Sequence, residues 1–301
     1  MQGHFREMKI IITIPAFNEE ATIGRTLDEI KAVMKTTKYS YELQVVDDGS
    51  QDKTAELAKK HGADVISHAR NKGLAQTFQT ELQQCLKKKA EIIVHTDADG
   101  QYNPKHIPEL IQQIEQGYDL VLGSRFKGKT SYKNHWSNLL GNILFAKVLS
   151  RLIGKKITDS TTGYRAFTAE VAREIKFINT FTYTQEQLIR AARQKFKIGE
   201  ISIEARPTRK SKLFKNPFHY AIKAWINILR IYRDYDPLKF FVSIGGVLLG
   251  LGVIIGIYFI YMHFTSGIQG HLGLLILMIV LLMSGIQIAS FGFLADMQRK
   301  D

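Results

Sequence analysis

The chain has 301 residues, 45% of them hydrophobic, a formal net charge of +13 and a single cysteine, Cys85. That composition supports a sizeable core and excludes a disordered or fibrous protein, an internal disulfide and a CxxC metal centre. The positive charge is concentrated: Arg125 to Lys156 carries eight Lys or Arg and no acid, Arg206 to Lys239 nine against two acids, and the rest is about neutral. Two basic surfaces facing something anionic are expected, with nucleic acid, a lipid surface and phosphates as the choices.

In chain order, "MQGHFREMKIIITIP" has only a five-residue apolar run and no small-residue cleavage site, so it is not read as a secretory signal. Five apolar runs then recur, "KIIITIPAFNEE", "YELQVVDDGS", "ADVISHARNKG", "AEIIVHTDADG" and "DLVLGSR", each ending in turn or polar residues. Helical stretches separate most of them: Glu20 to Met34, Thr54 to His61, Leu74 to Lys87 and Ile107 to Gln116. Continuous Val and Ile runs alternating with helices indicate a parallel sheet covered on both faces, hence an α/β doubly wound core. Ligands of such sheets bind beyond the carboxyl ends of the strands, at the switch in strand order, so the tips "PAFNEE", "DDGS", "DADGQ" and "GSR" are expected to line one cleft.

Further on, Trp136, Leu139, Leu140, Ile143, Leu144, Val148 and Leu152 recur at helical spacing among basic residues, as do Phe218, Ile222, Trp225, Leu229 and Tyr232. Core packing and a helix in the membrane interface are the two readings, the second preferred for the later stretch because an apolar hairpin follows it. Phe240 to Phe264 and Leu272 to Leu294 contain no Lys, Arg, Asp or Glu, and each is long enough to cross about 30 Å of hydrocarbon. The alternative, core helices of a soluble protein, fits poorly with segments this long and free of charge. Arg230, Arg233 and Lys239 precede the hairpin and Arg299 and Lys300 follow it, whereas the connecting "TSGIQGH" has no Lys or Arg, so both ends are expected in the cytosol.

The chemistry concentrates in "IIVHTDADGQY". Asp97 and Asp99, one residue apart on a strand-end loop, can face one hard cation, and the Gln101 oxygen adds a neutral ligand; Mg²⁺ and Mn²⁺ prefer such oxygen sites, completed by water and substrate phosphates. By itself Asp-x-Asp is also the pattern of a solvated acidic turn. The chain lacks GxGxxG after its first strand and lacks GxxxxGK[ST], which argues against a dinucleotide-binding Rossmann unit and a P-loop NTPase.

"TIPAFNEE", "VVDDGSQDKT", "NKGLA", "DADGQYNP", "GSRF", "TTGYRAF" and "RPTRKSKLF", in this order and spacing between Lys9 and about Leu213, resemble family 2 glycosyltransferases of the GT-A fold. Within that family the chain is similar to polyprenyl-phosphate sugar synthases of the dolichyl-phosphate mannose synthase type, and its hairpin resembles that of relatives that glycosylate bactoprenol phosphate. The resemblance implies a cytosolic GT-A (Rossmann-like) domain over residues 1–213, a juxtamembrane amphipathic helix over 214–239 and a transmembrane hairpin over 240–301 with spans 240–264 and 272–294. It implies that Pro15, Phe17 and Glu19 contact the nucleotide, that Asp48, in preference to Asp47, takes the base or ribose, and that Asp97 and Ala98 line the donor site. Asp99 and Gln101 would hold Mn²⁺ or Mg²⁺, with Asp99, Arg125 and Arg206 the residues on which catalysis depends. Arg125, Arg206, Ser211 and Lys212 would bind donor and acceptor phosphates.

Plainer roles compete with some of these: Arg125 pairing with an acid at the sheet edge, Glu19 as a helix-start carboxylate, Lys212 touching lipid headgroups. Three positions depart from the family pattern, Arg209, Ala75 and Glu81, where glycines are usual. The reaction implied is inverting transfer of a hexose, mannose from GDP-mannose or glucose from UDP-glucose, to a polyprenyl or dolichyl monophosphate, with no nucleic-acid partner. No dedicated general base stands out, and none is needed: a phosphate monoester with a second pKa near 6 is mostly a dianion near pH 7. Processive polysaccharide synthases usually carry QxxRW, and the nearest stretch here, "QLIRA", lacks the Trp. A membrane-anchored nucleotide-sugar-binding protein without turnover is the non-enzymatic rival.

Overall fold

The computed structural model describes residues 8–127, 146, 147, 150, 154–174, 183–206, 226, 229, 230, 232, 233, 236–265 and 270–298. Both stretches read as amphipathic helices, and so most of 214–239, lie mainly outside the described residues. The chain divides into two compact units, residues 1–221 and 222–301.

In the first unit the five apolar runs become β1 (Ile10–Ala16), β2 (Tyr41–Asp47), β3 (Asp64–Ser67), β4 (Ile92–His95) and β5 (Leu120–Ser124). Two further strands, β6 (Arg165–Thr168) and β7 (Ile198–Ser202), complete a sheet of order β3-β2-β1-β4-β6-β5-β7. The sheet is mixed: β6 is antiparallel to both β4 and β5, and the other pairings are parallel. The chain enters β6 from Gly163, which lies against Asp97 beyond the tip of β4, so the strand that follows has to run back down the sheet.

Helices α1 (Ile23–Met34), α2 (Thr54–Lys60), α3 (Leu74–Lys87), α4 (Ile107–Glu115), α5 (Ala169–Glu174) and α6 (Tyr183–Arg193) cover the two faces. The pleat of β1 divides the core between them. Ile10, Ile12 and Ile14 pack with Ile23, Leu27 and Ile30 of α1 and Leu110 and Ile111 of α4. Ile11 packs on the other side with Phe78, Leu82 and Cys85 of α3 and Leu188 of α6. Each such side chain, fully buried, stabilises the fold by about 1.5–3 kcal/mol.

At the carboxyl edge the first two loops clasp each other. Asn18, with φ +53°, donates its N–H to Ser50 Oγ at 2.9 Å and accepts from Gln51 N at 2.9 Å, while Glu19 N donates to Thr54 Oγ1 at 2.8 Å. Gly49 sits in the same loop with φ +73°, and a Cβ there would lie 2.7 Å from the Arg70 carbonyl carbon. Gly49→Ala therefore combines a left-handed backbone with a backbone clash, and we expect a loss of about 2–3 kcal/mol, read as a lower denaturation midpoint with unchanged m-value. At the far end of the sheet, Lys155 Nζ donates to Ile198 O and Lys127 Nζ to Glu200 O along β7.

The second unit holds α7 (Pro237–Thr265) and α8 (Leu272–Met297), whose most apolar 18-residue stretches each have mean hydropathy 2.5. They pack through glycines: a Cβ on Gly245 would lie 2.6 Å from Gly285 O, and one on Gly285 would lie 2.6 Å from Leu249 Cγ. Small residues at such a seam let helix backbones approach closely in lipid. The outer faces expose Ile254, Ile257, Ile260, Met283 and Ile286, and only 11% and 6% of the most apolar stretches are buried, which does not fit core helices of a soluble protein. Both helices are long and apolar enough to cross a membrane, and they contain the two segments read as spans.

Candidate active site

The carboxyl ends of β1, β2, β4 and β5 meet on one edge, where strand order reverses across β1 and β4. Pro15 is buried in β1 and Phe17, just beyond it, is 43% exposed at the edge of the cleft. Glu19 begins the turn into α1: its carbonyl accepts from Ile23 N, and its Oε2 accepts from Thr22 Oγ1 at 2.9 Å.

Asp48 is buried and heavily engaged. Its oxygens accept from Lys72 N at 2.9 Å and Gly73 N at 2.8 Å and meet His68 Nδ1 at 2.7 Å. The carboxylate therefore pins the loop after β3, and any bond to a nucleotide uses the acceptor capacity left by those three contacts. Asp47 accepts from Ser50 N at 3.2 Å.

The β4 tip is the most constrained part of the site. Asp99 Oδ1 accepts from Gln101 N at 2.9 Å, so the two candidate ligands are held on one tight turn. Gln101 O in turn accepts from Arg206 N at 2.8 Å, and Tyr102 bridges to Ala205, so the segment carrying Arg206 is stitched by its backbone to the Asp99–Gln101 turn. The Arg206 side chain reaches Glu29 Oε2 of α1 at 2.6 Å. Burial works to raise the Glu29 pKa, but Arg206 and Arg25 outweigh it and hold the carboxyl below its ordinary value. Ala98 is buried and its carbonyl accepts from Thr26 Oγ1 at 3.1 Å.

Asp97 is half-buried beside Gly163, where a Cβ would lie 3.0 Å from Asp97 Oδ1. Burial pushes its carboxyl up to about 6; His95 and Arg125 pull it down, and the nearby charge of Asp99 pushes it up. Tyr102 stacks on Tyr164 with ring centroids 5.0 Å apart and accepts from Gly163 N, which locks "DADGQY" to "TTGYRAF".

Arg125, beyond β5, does pair with an acid at the sheet edge. Nε reaches Asp159 Oδ2 at 2.7 Å and a terminal nitrogen reaches Asp159 Oδ1 at 3.0 Å and Thr161 Oγ1 at 2.8 Å. The side chain is held as a bidentate clamp, 13% exposed, with Asp159 fully buried.

Thus Asp99, Gln101 and Arg206 are brought together by hydrogen bonds to the backbone of one turn, and the Asp97 carboxyl feels the charges of both Asp99 and Arg125. Ser211 and Lys212 lie outside the described residues. Sequence reasoning missed Asp159, Glu29, His68, Gly163 and His95 as supports of the site; of these Gly163, inside "TTGYRAF", and His95, inside "IIVHTDADGQY", stood in motifs already singled out. Hard oxygen donors fit a divalent cation, and among the described residues no group of three Asp, Glu, His or Cys could hold a metal unaided. A cation on Asp99 and Gln101 would therefore need substrate oxygens and water to complete its shell.

Residues 11–176 match the family model described as Glycosyl transferase family 2. The chain belongs to that family. It is a glycosyltransferase with a GT-A-like α/β domain followed by the two apolar helices. A dolichyl-phosphate hexose transferase of Haloferax volcanii is 33% identical over 198 residues, 65% of this chain and 82% of the relative. A dodecaprenyl-phosphate galacturonate synthase of Rhizobium johnstonii is 25% identical over 308 residues, 97% of this chain and 88% of the relative, so that similarity includes the hairpin. Among solved structures, glucosyl-3-phosphoglycerate synthase from Mycobacterium tuberculosis, in complex with Mn²⁺, UDP-glucose and phosphoglyceric acid, superposes with a TM-score of 0.59 at 21% identity. That match covers 73% of this chain and 79% of the other, and it establishes the shared fold.

Proposed function

We propose that this glycosyltransferase moves a hexose from a nucleotide sugar to a polyprenyl or dolichyl monophosphate, with inversion, at the cytosolic face of a membrane. The observation that carries the reading is the backbone bond from Arg206 N to Gln101 O. It anchors the backbone of Arg206, whose guanidinium is paired with Glu29, beside a turn whose side chains suit a metal. Relatives named for sugar transfer to dolichyl and dodecaprenyl phosphates support the acceptor class, and the α7–α8 hairpin supports an acceptor that lies in lipid.

In this reading residues 1–213 form the catalytic domain, 214–239 lie along the membrane surface and 240–301 anchor the chain, with both termini cytosolic. Pro15, Phe17, Glu19 and Asp48 contact the nucleotide, and Asp97 and Ala98 line the donor site. Mn²⁺ or Mg²⁺ held by Asp99 and Gln101 would neutralise charge on the departing diphosphate. Arg125, Arg206, Ser211 and Lys212 hold phosphate oxygens, so the acceptor dianion meets the anomeric carbon without a proton having to be removed. GDP-mannose and UDP-glucose are the two donors to try first.

The test is to incubate the full chain, purified in detergent, with Mn²⁺, a polyprenyl phosphate and a panel of radiolabelled nucleotide sugars, and to follow label into the lipid phase. We expect transfer from one donor, loss of transfer on adding a chelator in excess, and recovery when Mn²⁺ is restored. Nucleotide-sugar binding with no transfer from any donor would overturn the acceptor assignment.

A further inference from the structure

Beneath the donor site the second core contains a polar chain instead of an apolar filling. Glu81 of α3 and His95 at the end of β4 are both completely buried, with His95 Nε2 3.2 Å from Glu81 Oε2 at ion-pair distance, though not aligned as a hydrogen bond. Glu81 Oε1 accepts from Thr13 Oγ1 at 3.1 Å, and Gln44 Nε2 donates to Thr13 Oγ1 at 3.1 Å and to Glu81 O at 3.2 Å. On the other side of the ring, His95 Nδ1 meets Gly163 O at 2.7 Å. Phe78 stands edge-on to the imidazole at 4.9 Å, so the ring plane is fixed as well.

The protons on this ring follow from its partners. A carbonyl only accepts, so Nδ1 carries hydrogen and donates to Gly163, which leaves Nε2 facing the Glu81 carboxylate. Burial opposes a charge on His95, but Glu81 outweighs it and raises the imidazole pKa. A buried acid and base cost several kcal/mol to desolvate, and replacement by apolar residues is often neutral or stabilising, so stability alone gives no reason for this pair.

Gly163 gives one. Its carbonyl accepts from His95, its N–H donates to Tyr102 Oη at 3.1 Å, and its bare Cα faces the Asp97 carboxylate, where a Cβ would lie 3.0 Å from Oδ1 and 3.3 Å from Oδ2. We propose that Glu81 and His95 are positioning residues for the donor site: together they hold an imidazole N–H on the Gly163 carbonyl, clamping the glycine whose open face seats Asp97. This rests on the reading of Asp97 as a donor-site residue. It also gives a purpose to Glu81, a completely buried acid that stability alone does not explain.

The test separates the two ring nitrogens. Asparagine at position 95 can present its amide near the place of Nδ1, and glutamine near that of Nε2. In the full chain, His95→Asn is expected to keep donor affinity and kcat/KM within a few-fold of wild type, whereas His95→Gln loses about 10–100-fold, the range seen when the partner of a ligand-orienting group is removed. Gly163→Ala, which leaves the polar chain intact and puts a methyl against Asp97, is expected to reproduce the His95→Gln loss. Melting temperatures are measured alongside. Equal kinetic constants for the Asn and Gln variants, or a Gly163→Ala variant that binds and transfers like wild type, would overturn the proposal. Wild type that binds a nucleotide sugar without transferring it would overturn the acceptor reading alone, because the variants are still ranked by donor affinity; wild type that binds no nucleotide sugar would overturn both.

Discussion

Asp99→Ala is expected to lower sugar transfer by a hundredfold or more while the protein still folds. Among the described residues its carboxylate makes one hydrogen bond, to Gln101 N at 2.9 Å, so losing it costs the fold on the order of 1 kcal/mol. The same group is the strongest hard-oxygen donor on the turn that Arg206 N locks in place. A metal held there would offset charge on the departing diphosphate, and a group placed to do so is typically worth about 10²–10³ in rate. The check is transfer at saturating donor and acceptor, with a thermal melt of the same sample. Gln101→Ala should follow in the same direction with a smaller loss, because a neutral amide oxygen contributes less charge. Wild-type rates in both variants would remove the metal from this turn.

The largest effect on stability is expected at Arg125. Arg125→Ala leaves the Asp159 carboxylate, fully buried, without its bidentate partner, and breaking a buried ion pair from one side typically costs about 3–5 kcal/mol. At roughly 2–4 °C per kcal/mol for a domain of this size, the apparent melting temperature should fall by about 10 °C. Arg125→Lys keeps the charge but loses the planar fork and should recover only part of it. A double variant, Arg125→Ala with Asp159→Ala, should be more stable than Arg125→Ala alone, since it removes the orphaned charge together with its partner. If Arg125 also touches phosphate in the reaction, the double variant regains stability without regaining activity, and the two measurements separate the roles.

Much of the first unit was legible because its information is local. β1 to β5 are runs of Val, Ile and Leu, and α1, α3 and α4 repeat their apolar residues at helical spacing. Strand β6 was not legible: its four residues, "RAFT", offer no apolar run, and its direction is set by Gly163 meeting a side chain far away in sequence. The acids at the strand tips could be found because "DADGQ" and "DDGS" are short patterns. Their supports could not, since Arg125 and Asp159 are 34 residues apart and Arg206 and Glu29 are 177 apart. Glu81 is the instructive case. In sequence it is only a misfit in a place usually held by glycine; in the fold it is the partner of His95, and neither residue predicts the other without the sheet that stacks α3 on β4.

The lysines along β7 bear on how copies of this protein behave toward one another. A strand at the end of a sheet offers unpaired carbonyls to any extended segment that drifts past. Here Ile198 O and Glu200 O already accept from Lys155 and Lys127, so an incoming strand meets two ammonium groups where it would need acceptors. At the concentrations reached in overexpression, this edge resists growth into a larger shared sheet. Replacing both lysines with threonine would reopen it, trading a soluble border for one prone to aggregate.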